Sequence, residues 1–217
     1  MSTIKKFTFN AIYENTYIIY DETKECIIID PGCSNASEKN ELASFILSHG
    51  LKPVRLVNTH CHVDHIPGNG FVAETYSVGL EINELEQFIL DRAPDYGEMF
   101  GIDTGVQPPV KSYLKEGDEI KFGTTTLTLL FTPGHSPGSL TFYNKSEKYA
   151  IVGDVLFYKS VGRFDIPGAD GSTLFKSITE KLMTLPDDVK IYCGHGQETS
   201  IGFERANNPF LRNAKGF

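Results

Sequence analysis

The densest group of chemically active side chains lies in Thr-His-Cys-His-Val-Asp-His, residues 59–65, which holds three of the chain's 6 histidines. Residues i and i+2 of an extended segment point to the same side, so His60 and His62 can bind one metal ion. Asp64 and His65 fall in the turn that follows and can reach a second ion. Neutral imidazole and carboxylate are usual ligands of zinc, iron and manganese. The segment therefore predicts a metal-binding loop, not a chance cluster.

Three later loops carry the same kind of side chain: His135, Asp154 and His195 each follow a segment typical of a β-strand. Sites in layered α/β proteins gather just past the carboxyl ends of strands. One tetrahedral ion takes three or four ligands, so seven candidates fit two ions better than one. We expect Asp154 to bridge the two ions, with a water or hydroxide as the second bridge. The remaining ligands are expected to be His60, His62 and His135 on the first ion and Asp64, His65 and His195 on the second.

The elements that must position these residues begin with a strand–helix–strand unit. Residues 37–49 have apolar positions at helical spacing, with Ser37 as a possible cap and Gly50 at the end. Such a unit favours a parallel pair between the strands on either side of the helix. Segments rich in Ile, Tyr, Phe and Val predict the strands of this half at residues 7–9, 16–20, 25–29 and 54–57.

The second half restarts the pattern, with predicted strands at residues 119–122, 125–131, 139–143, 149–152 and 189–193 and a helix at 172–183. Between the halves we predict short helices over residues 70–76 and 84–90, the latter extending toward Met99. Residues 91–109 are rich in Pro and Gly and predict a long surface excursion. It would form either a wall of a substrate pocket or a solvated connection. Two similar halves indicate two sheets packed face to face with helices outside.

Composition restricts the classes of partner. The chain has 217 residues, 40% of them hydrophobic, which is enough for one sizeable core. A net charge of -8 argues against nucleic acid and against an anionic membrane surface as partners. We find neither a signal-peptide pattern nor an apolar run of membrane-spanning length. The 4 cysteines form no CxxC pair, so we expect reduced thiols and a cytoplasmic location.

The chain resembles the metallo-β-lactamase superfamily in four motifs: THCHVDH at 59–65, GH at 134–135, GD at 153–154 and GH at 194–195. The resemblance covers nearly the whole chain, with the motifs in the same order. It implies an α/β fold, the four-layer αββα sandwich, as a single metallo-β-lactamase-like domain over residues 1–217. The ligand assignment above agrees with the family's pattern residue by residue.

Within the superfamily the chain looks like the glyoxalase II (hydroxyacylglutathione hydrolase) branch, in its short bacterial form. The motifs are VGD at 152–154, VGRFDIPGAD at 161–170 and HGQETSIGFERANNPF at 195–210. The resemblance implies hydrolysis of a small-molecule thioester, such as S-D-lactoylglutathione or a related acyl-thiol. A metal-bridging hydroxide, oriented by Asp64 and Asp154, would attack the carbonyl. The implied cofactors are two divalent metal ions, zinc in the first place or else iron or manganese.

Two other classes stay open. Persulfide dioxygenases share a GRTD-like stretch near Gly162-Arg163-Phe164-Asp165 and use one iron held by two His and an Asp. A metal-binding module without turnover is the third class. Typical zinc β-lactamases are disfavoured, because they place another ligand where Asp154 stands and normally carry a secretion signal.

Substrate recognition rests on fewer residues. Larger glyoxalase II members bind the glutathione carboxylates with a helical C-terminal domain, whereas this sequence ends at Phe217. Arg163 is the first candidate for a substrate carboxylate, although it could equally be a structural arginine. Arg205 and Arg212 are more remote candidates.

Several neighbours of the ligands have expected supporting roles. Thr59 or the backbone would set the imidazole tautomers. Asp30 would either support the site or simply form a turn. Cys61 would point into the fold interior as a buried, inert thiol, and Cys193 would do the same.

Overall fold

The structure is a computed structural model that describes residues 1–213, with side chains through residue 211. Contacts between residues divide the chain into two compact units. Unit 1 comprises residues 1–114 and 120–126, and unit 2 comprises residues 115–119 and those from 127 onward. That residues 1–217 form a single domain stays a prediction.

A six-stranded sheet organises unit 1, with its strands in sequence order from edge to edge. The strands are β1 (Thr3–Phe9), β2 (Glu14–Tyr20), β3 (Glu25–Ile29), β4 (Lys52–Val57), β5 (Leu80–Ile82) and β6 (Val110–Tyr113). β1, β2 and β3 pair antiparallel, whereas β3 to β6 pair parallel. The four predicted strands of this half are therefore confirmed, and two short strands were missed.

Helix α1 (Ala36–Ser48) joins β3 to β4, which confirms the predicted strand–helix–strand unit with its parallel pair. Its buried face, Leu42 and Ile46, packs in one core cluster with Ile28 of the sheet. The predicted cap is wrong by two positions. Asn35, not Ser37, caps the helix, because its side-chain oxygen accepts a hydrogen bond from the Glu38 N–H at 3.1 Å.

The segment between β4 and β6 is largely helical, as predicted. It contains α2 (Asn69–Tyr76), a 3₁₀ turn (Glu84–Glu86), α3 (Gln87–Asp91) and α4 (Ala93–Phe100). The predicted helix over residues 70–76 is confirmed, and the one over 84–90 with its extension toward Met99 is present as the 3₁₀ turn, α3 and α4. The predicted surface excursion therefore begins later, and residues 101–109 lack helix and strand. Pro94 stands in the first turn of α4, where a helix does not need the missing N–H, and Gly101 ends the helix with a φ of 67°.

The second sheet contains β7 (Glu119–Phe122), β8 (Thr125–Phe131), β9 (Leu140–Asn144), β10 (Tyr149–Gly153), β13 (Lys190–Cys193) and β14 (Thr199–Ser200). Its order is β14-β13-β10-β9-β8-β7. β10 pairs parallel with β13 and antiparallel with β9. Two-residue strands β11 (Leu156–Phe157) and β12 (Ser160–Val161) form a separate hairpin. The five strands predicted here are confirmed.

The helices of unit 2 are α5 (Gly171–Glu180), α6 (Ile201–Asn207) and α7 (Pro209–Asn213), with a 3₁₀ turn at Leu182–Thr184. The Asp170 carboxylate caps α5 by accepting the Thr173 N–H at 2.6 Å. Leu174 and Ile178 pack in one core cluster with Val152 of β10. The predicted helix over 172–183 ends early, at residue 180. Among residues 1–213, no helix is long and apolar enough to cross a bilayer.

Candidate metal centre

The loop after β4 gathers the four candidate ligands of unit 1. The His60 ring lies 4.7 Å from that of His62 and 4.2 Å from that of His65, measured between centroids. Nε2 of His65 is 3.5 Å from Oδ2 of Asp64. His60 and His65 are buried, Asp64 is nearly so, and His62 is half-buried. The predicted grouping within residues 59–65 is therefore present.

The three candidate ligands of unit 2 also converge. Oδ2 of Asp154 lies 3.6 Å from Nε2 of His135 and 3.5 Å from Nε2 of His195. The parallel pairing of β10 and β13 explains the second contact, because it sets their carboxyl ends, Gly153 and Cys193, side by side. Asp154 and His195 follow those ends directly or within two residues.

Hydrogen bonds assign the tautomers of three histidines. The Thr59 hydroxyl donates to Oδ2 of Asp30 at 2.6 Å, so its oxygen must accept from Nδ1 of His60, 3.0 Å away. Nδ1 of His65 lies 3.2 Å from the Asp30 carboxylate. Nδ1 of His135 lies 2.8 Å from the carbonyl oxygen of Arg163. Carboxylate and carbonyl oxygens only accept, so each Nδ1 carries the proton and each Nε2 carries the lone pair that a metal ion needs.

Asp30 holds the loop of candidate ligands in place. Its buried carboxylate accepts from the Thr59 N–H at 2.7 Å and from Nδ2 of Asn58 at 3.2 Å, besides Thr59 Oγ1 and His65 Nδ1. Its backbone adopts a φ of 49° just after β3. Asp30 thus contacts the loop directly, and its support of a metal site stays a prediction. The expected role of Thr59 in orienting His60 is confirmed.

Two buried glutamates near the loop were missed by sequence reasoning. Oε2 of Glu86 accepts the Cys61 N–H at 2.8 Å, which fixes the backbone between two candidate ligands. Oε1 of Glu14 lies 3.8 Å from Nδ1 of His65, and its Oε2 accepts from Thr16 Oγ1 at 2.9 Å. Burial raises the pKa of Glu14 well above its usual value, the Asp30 charge raises it further, and His65 opposes both. Neither glutamate stands in a motif, so the sequence offered no signal for them.

The cysteines behave as predicted. All four are buried and none is part of a disulfide. Burial, followed by the Glu86 charge, raises the pKa of the Cys61 thiol well above its usual value. Cys61 is therefore an inert interior thiol, and Cys193 is 1% exposed.

The arginine candidates already have partners. The exposed guanidinium of Arg163 donates to both carboxylate oxygens of Asp165, at 2.9 and 3.3 Å. Arg205 donates to the backbone carbonyls of Met183 and Leu185, as a structural arginine does. The side chain of Arg212 lies outside the described residues. A role of Arg163 in substrate binding stays a prediction.

A surface cavity of about 610 Å³ lies in unit 1. Residues 105–110 line it together with Gln87, Leu90, Asp91 and Pro94. The excursion thus lines a cavity, while its contact with a substrate stays a prediction.

The donor set fits a divalent metal ion. It consists of imidazole nitrogens and carboxylate oxygens, which zinc, iron and manganese accept, and supporting groups orient three of the imidazoles. Within unit 1, a carboxylate oxygen of Asp30 and one ring nitrogen each of His60 and His65 lie within 4.8 Å of one another.

Comparison with known proteins identifies the family. Residues 10–195 match the model of the metallo-beta-lactamase superfamily, a span that includes all seven candidate ligands. The chain belongs to this superfamily, and its fold is the mixed α/β metallo-β-lactamase fold, with two mixed sheets and helices, as predicted.

Three curated relatives illustrate the range of the family. The chain is 37% identical to the probable metallo-hydrolase YqgX of Bacillus subtilis, over 95% of this chain and 96% of that protein. It is 36% identical to the hydroxyacylglutathione hydrolase GloC of Haemophilus influenzae, over 93% and 94%. It is 32% identical to the mitochondrial persulfide dioxygenase ETHE1 of Homo sapiens, over 90% and 70%.

Two crystal structures are similar over their whole length. One, the BLEG-1 B3 metallo-beta-lactamase, is 34% identical with a TM-score of 0.89, over 96% of this chain and 99% of that one. The other, a di-iron-bound form of TTHA1623, is 32% identical with a TM-score of 0.86, over 95% and 100%.

Proposed function

We propose that the protein is a binuclear metal-dependent hydrolase of a thioester, such as S-D-lactoylglutathione or a related acyl-thiol. The observation that carries the proposal is the shared tautomer of His60, His65 and His135, whose Nε2 atoms carry the lone pairs for metal binding. The similarity to the GloC hydrolase supports the substrate class, and the motifs at residues 152–154 and 161–170 support the same branch.

The proposed ligand assignment is the one that the sequence and the family resemblance imply. Asp154 is the proposed bridge, and its proximity to the Nε2 atoms of both His135 and His195 supports that role. The other ligands are His60, His62 and His135 for the first ion and Asp64, His65 and His195 for the second. Zinc is the first choice of metal, and the di-iron form of TTHA1623 keeps iron as an alternative.

Two divalent ions, when bound, supply a water of lowered pKa and Lewis acidity for the substrate carbonyl. The protein's own residues have simpler tasks. Asp64 and Asp154 can each accept a hydrogen bond from the attacking water and so orient it. Asp30 and the Arg163 carbonyl hold the imidazoles in place. A thiol leaving group has a parent pKa of about 8.5, so its departure requires little help from a general acid.

A second candidate function is a persulfide dioxygenase with one iron. The similarity to human ETHE1 and the Gly162-Arg163-Phe164-Asp165 stretch favour it over other redox chemistry. The binuclear hydrolase is preferred because a seven-residue donor set exceeds what one iron needs. A metal-binding module without turnover is the remaining alternative.

We also propose a cytoplasmic location, because four buried cysteines without a disulfide suit a reducing compartment. The proposed partner is a small-molecule thioester, not nucleic acid or a membrane, given the net charge of -8.

The test combines metal analysis with turnover of S-D-lactoylglutathione, in wild-type protein and His65→Ala. His49→Ala is the matched control, because His49 is an exposed histidine at the end of α1 in the same unit. We expect about two metal ions per chain and turnover in the wild type and the control. We expect His65→Ala to lose one ion and at least about a hundredfold in turnover, since outer partners alone cost 10–100-fold.

Other outcomes would redirect the proposal. One iron per chain, with oxygen uptake and sulfite release from glutathione persulfide, would establish the dioxygenase. Hydrolysis of a β-lactam such as nitrocefin in preference to thioesters would move the substrate toward that of BLEG-1. A fully loaded protein that consumes none of these substrates would favour the binding module.

A further inference from the structure

Hydrogen bonds join the end of the excursion to the end of the proposed metal-binding loop. Residues 104–107, here the return segment, precede β6. Nε2 of Gln107 donates to the carbonyl oxygen of Ile66 at 3.2 Å and to that of Thr104 at 2.5 Å. Oε1 of Gln107 accepts from Nδ2 of Asn69 at 3.0 Å. One half-buried side chain therefore ties the return segment both to the loop and to the start of α2.

The backbones of the two segments touch where these hydrogen bonds form. A Cβ atom at Gly70 would lie only 2.2 Å from the Val106 carbonyl oxygen. Gly105 adopts a φ of 62°, and a Cβ there would lie 3.2 Å from the Pro67 carbonyl oxygen. The contact therefore leaves no space for a side chain at Gly70, and glycine is needed there.

A continuous chain of hydrogen-bonded side chains leads from Gln107 to His65. It consists of three amides and the Asp30 carboxylate. Nδ2 of Asn69 donates to Oδ1 of Asn58 at 2.9 Å, as well as to Gln107. Nδ2 of Asn58 donates to Oδ1 of Asp30 at 3.2 Å and to the His65 carbonyl at 3.0 Å. Asp30 then accepts from Nδ1 of His65. The links in order are Gln107, Asn69, Asn58, Asp30 and His65.

Each amide in this chain has a defined orientation. Asn69 and Asn58 are 0% and 1% exposed, so their polar groups are costly to bury without hydrogen bonds. Both N–H groups of Asn69 are used, one toward Gln107 and one toward Asn58. A carboxylate at position 69 could make neither bond, because both partners are acceptors there.

We propose that Gln107 and Asn69 are positioning residues for His65, and that they couple the return segment to the ion which His65 holds. The inference rests on the proposed function in one respect, which is that it takes His65 as a ligand. Asn58 reaches His65 directly, through the His65 carbonyl, and also through Asp30, whereas its path to His60 runs through both Asp30 and Thr59. Removing the hydrogen bonds of Gln107 should therefore weaken binding of the ion at His65 more than binding of the ion at His60.

The first test is Gln107→Met, which keeps the length of the side chain and removes its hydrogen bonds. Gln87→Met is the matched control, since the hydrogen bonds of Gln87, with Asp91 and with Tyr113 of β6, are exposed and involve no residue of the proposed network. Stepwise metal affinities are measured by competition with a chelator. We expect Gln107→Met to lower the affinity for one of the two ions by about tenfold, the lower end of the range for residues that support metal ligands by hydrogen bonds. His65→Ala identifies which ion that is, and Gln87→Met should leave both affinities unchanged.

The second test reads the coupling in the opposite direction, by hydrogen exchange of the amides in residues 104–110. We expect metal addition to slow this exchange in the wild type and in Gln87→Met, but to have little effect in Gln107→Met. Gly70→Ala provides an independent variant, because its Cβ would displace the Val106 backbone while the side chains of Gln107, Asn69 and Asn58 remain unsubstituted. It should also reduce the effect of metal on exchange.

The outcomes separate this inference from the proposed function. Two ions of unchanged affinity in Gln107→Met, or equal weakening of both, would overturn the positioning role while leaving the hydrolase proposal intact. A wild type that binds two ions and shows the coupling, yet hydrolyses no thioester, would do the reverse. A wild type that binds no ion at His65 would overturn both.

Discussion

Asp30 and His65 are joined by a hydrogen bond of 3.2 Å between a carboxylate oxygen and Nδ1 of the imidazole. The same oxygen accepts the Thr59 hydroxyl, which in turn orients His60. One carboxylate therefore determines the tautomers of two candidate ligands. We expect Asp30→Asn to weaken metal binding by about 10- to 100-fold, because an amide can present a donor where the Thr59 hydroxyl and Nδ1 of His65 need an acceptor. Chelator competition measures the loss.

Asp188→Asn is the control for this prediction, because Asp188 is an exposed carboxylate that pairs with Lys148 on the surface. It should leave metal affinity unchanged. If Asp30→Asn bound both ions as tightly as this control, Asp30 would be only a turn residue.

Glu86 gives a prediction about stability. It is fully buried and accepts the Cys61 N–H. Glu86→Leu should leave that N–H without its acceptor and lower the free energy of unfolding by about 1–3 kcal/mol. Glu86→Gln keeps a carbonyl oxygen at the same length and should cost less. Urea unfolding of the metal-free protein measures both, and equal stability of Glu86→Leu and wild type would refute the role.

The candidate ligands could be predicted from the sequence because their signal is local. His60, His62, Asp64 and His65 stand within six residues, and their spacing alone indicates a shared site. Long strands with a regular pattern were predicted as well, and the one at residues 125–131, where buried positions alternate, is confirmed.

The missed features depend on partners that are distant in sequence. β5 has three residues, and its central Glu81 is buried with Arg55 of β4 and Ser112 of β6 donating to its carboxylate. Gln107 meets Ile66 across 41 positions, so no local pattern marks it as part of the site. The cap of α1 failed for a different reason, since Asn35 and Ser37 are both good caps and only the geometry decides between them.

Asp21 gives a prediction about pH. Burial raises the pKa of its carboxyl group, but hydrogen bonds from Thr23, Thr124 and Thr125 outweigh burial and hold the pKa well below its usual value. A depressed pKa contributes stability that is present above the usual pKa, near 4, and is lost as pH falls below it. The wild type should therefore exceed Asp21→Asn by about 1–3 kcal/mol at neutral pH. The difference should shrink below about pH 4.

Unfolding measured at a series of pH values checks this prediction. Glu41→Gln serves as the control, because Glu41 is an exposed carboxylate on α1 in the same unit. A gap between wild type and Asp21→Asn that stayed constant from neutral pH into the acid range would show that the carboxylate charge does not contribute.

The buried cysteines give a prediction about thiol reactivity. Burial raises the pKa of Cys26 and of Cys33 to about 12, so at pH 8 their thiolate fraction is roughly a thousandfold below that of an ordinary cysteine. The folded protein should react slowly with a disulfide reagent, and all 4 thiols should react once denaturant is added. Ser48→Cys supplies the reference, because residue 48 is exposed at the end of α1. Its added thiol should react quickly in the folded state. If the native thiols of the wild type reacted as fast as this reference, the core around Cys26 and Cys33 would have to open readily to solvent.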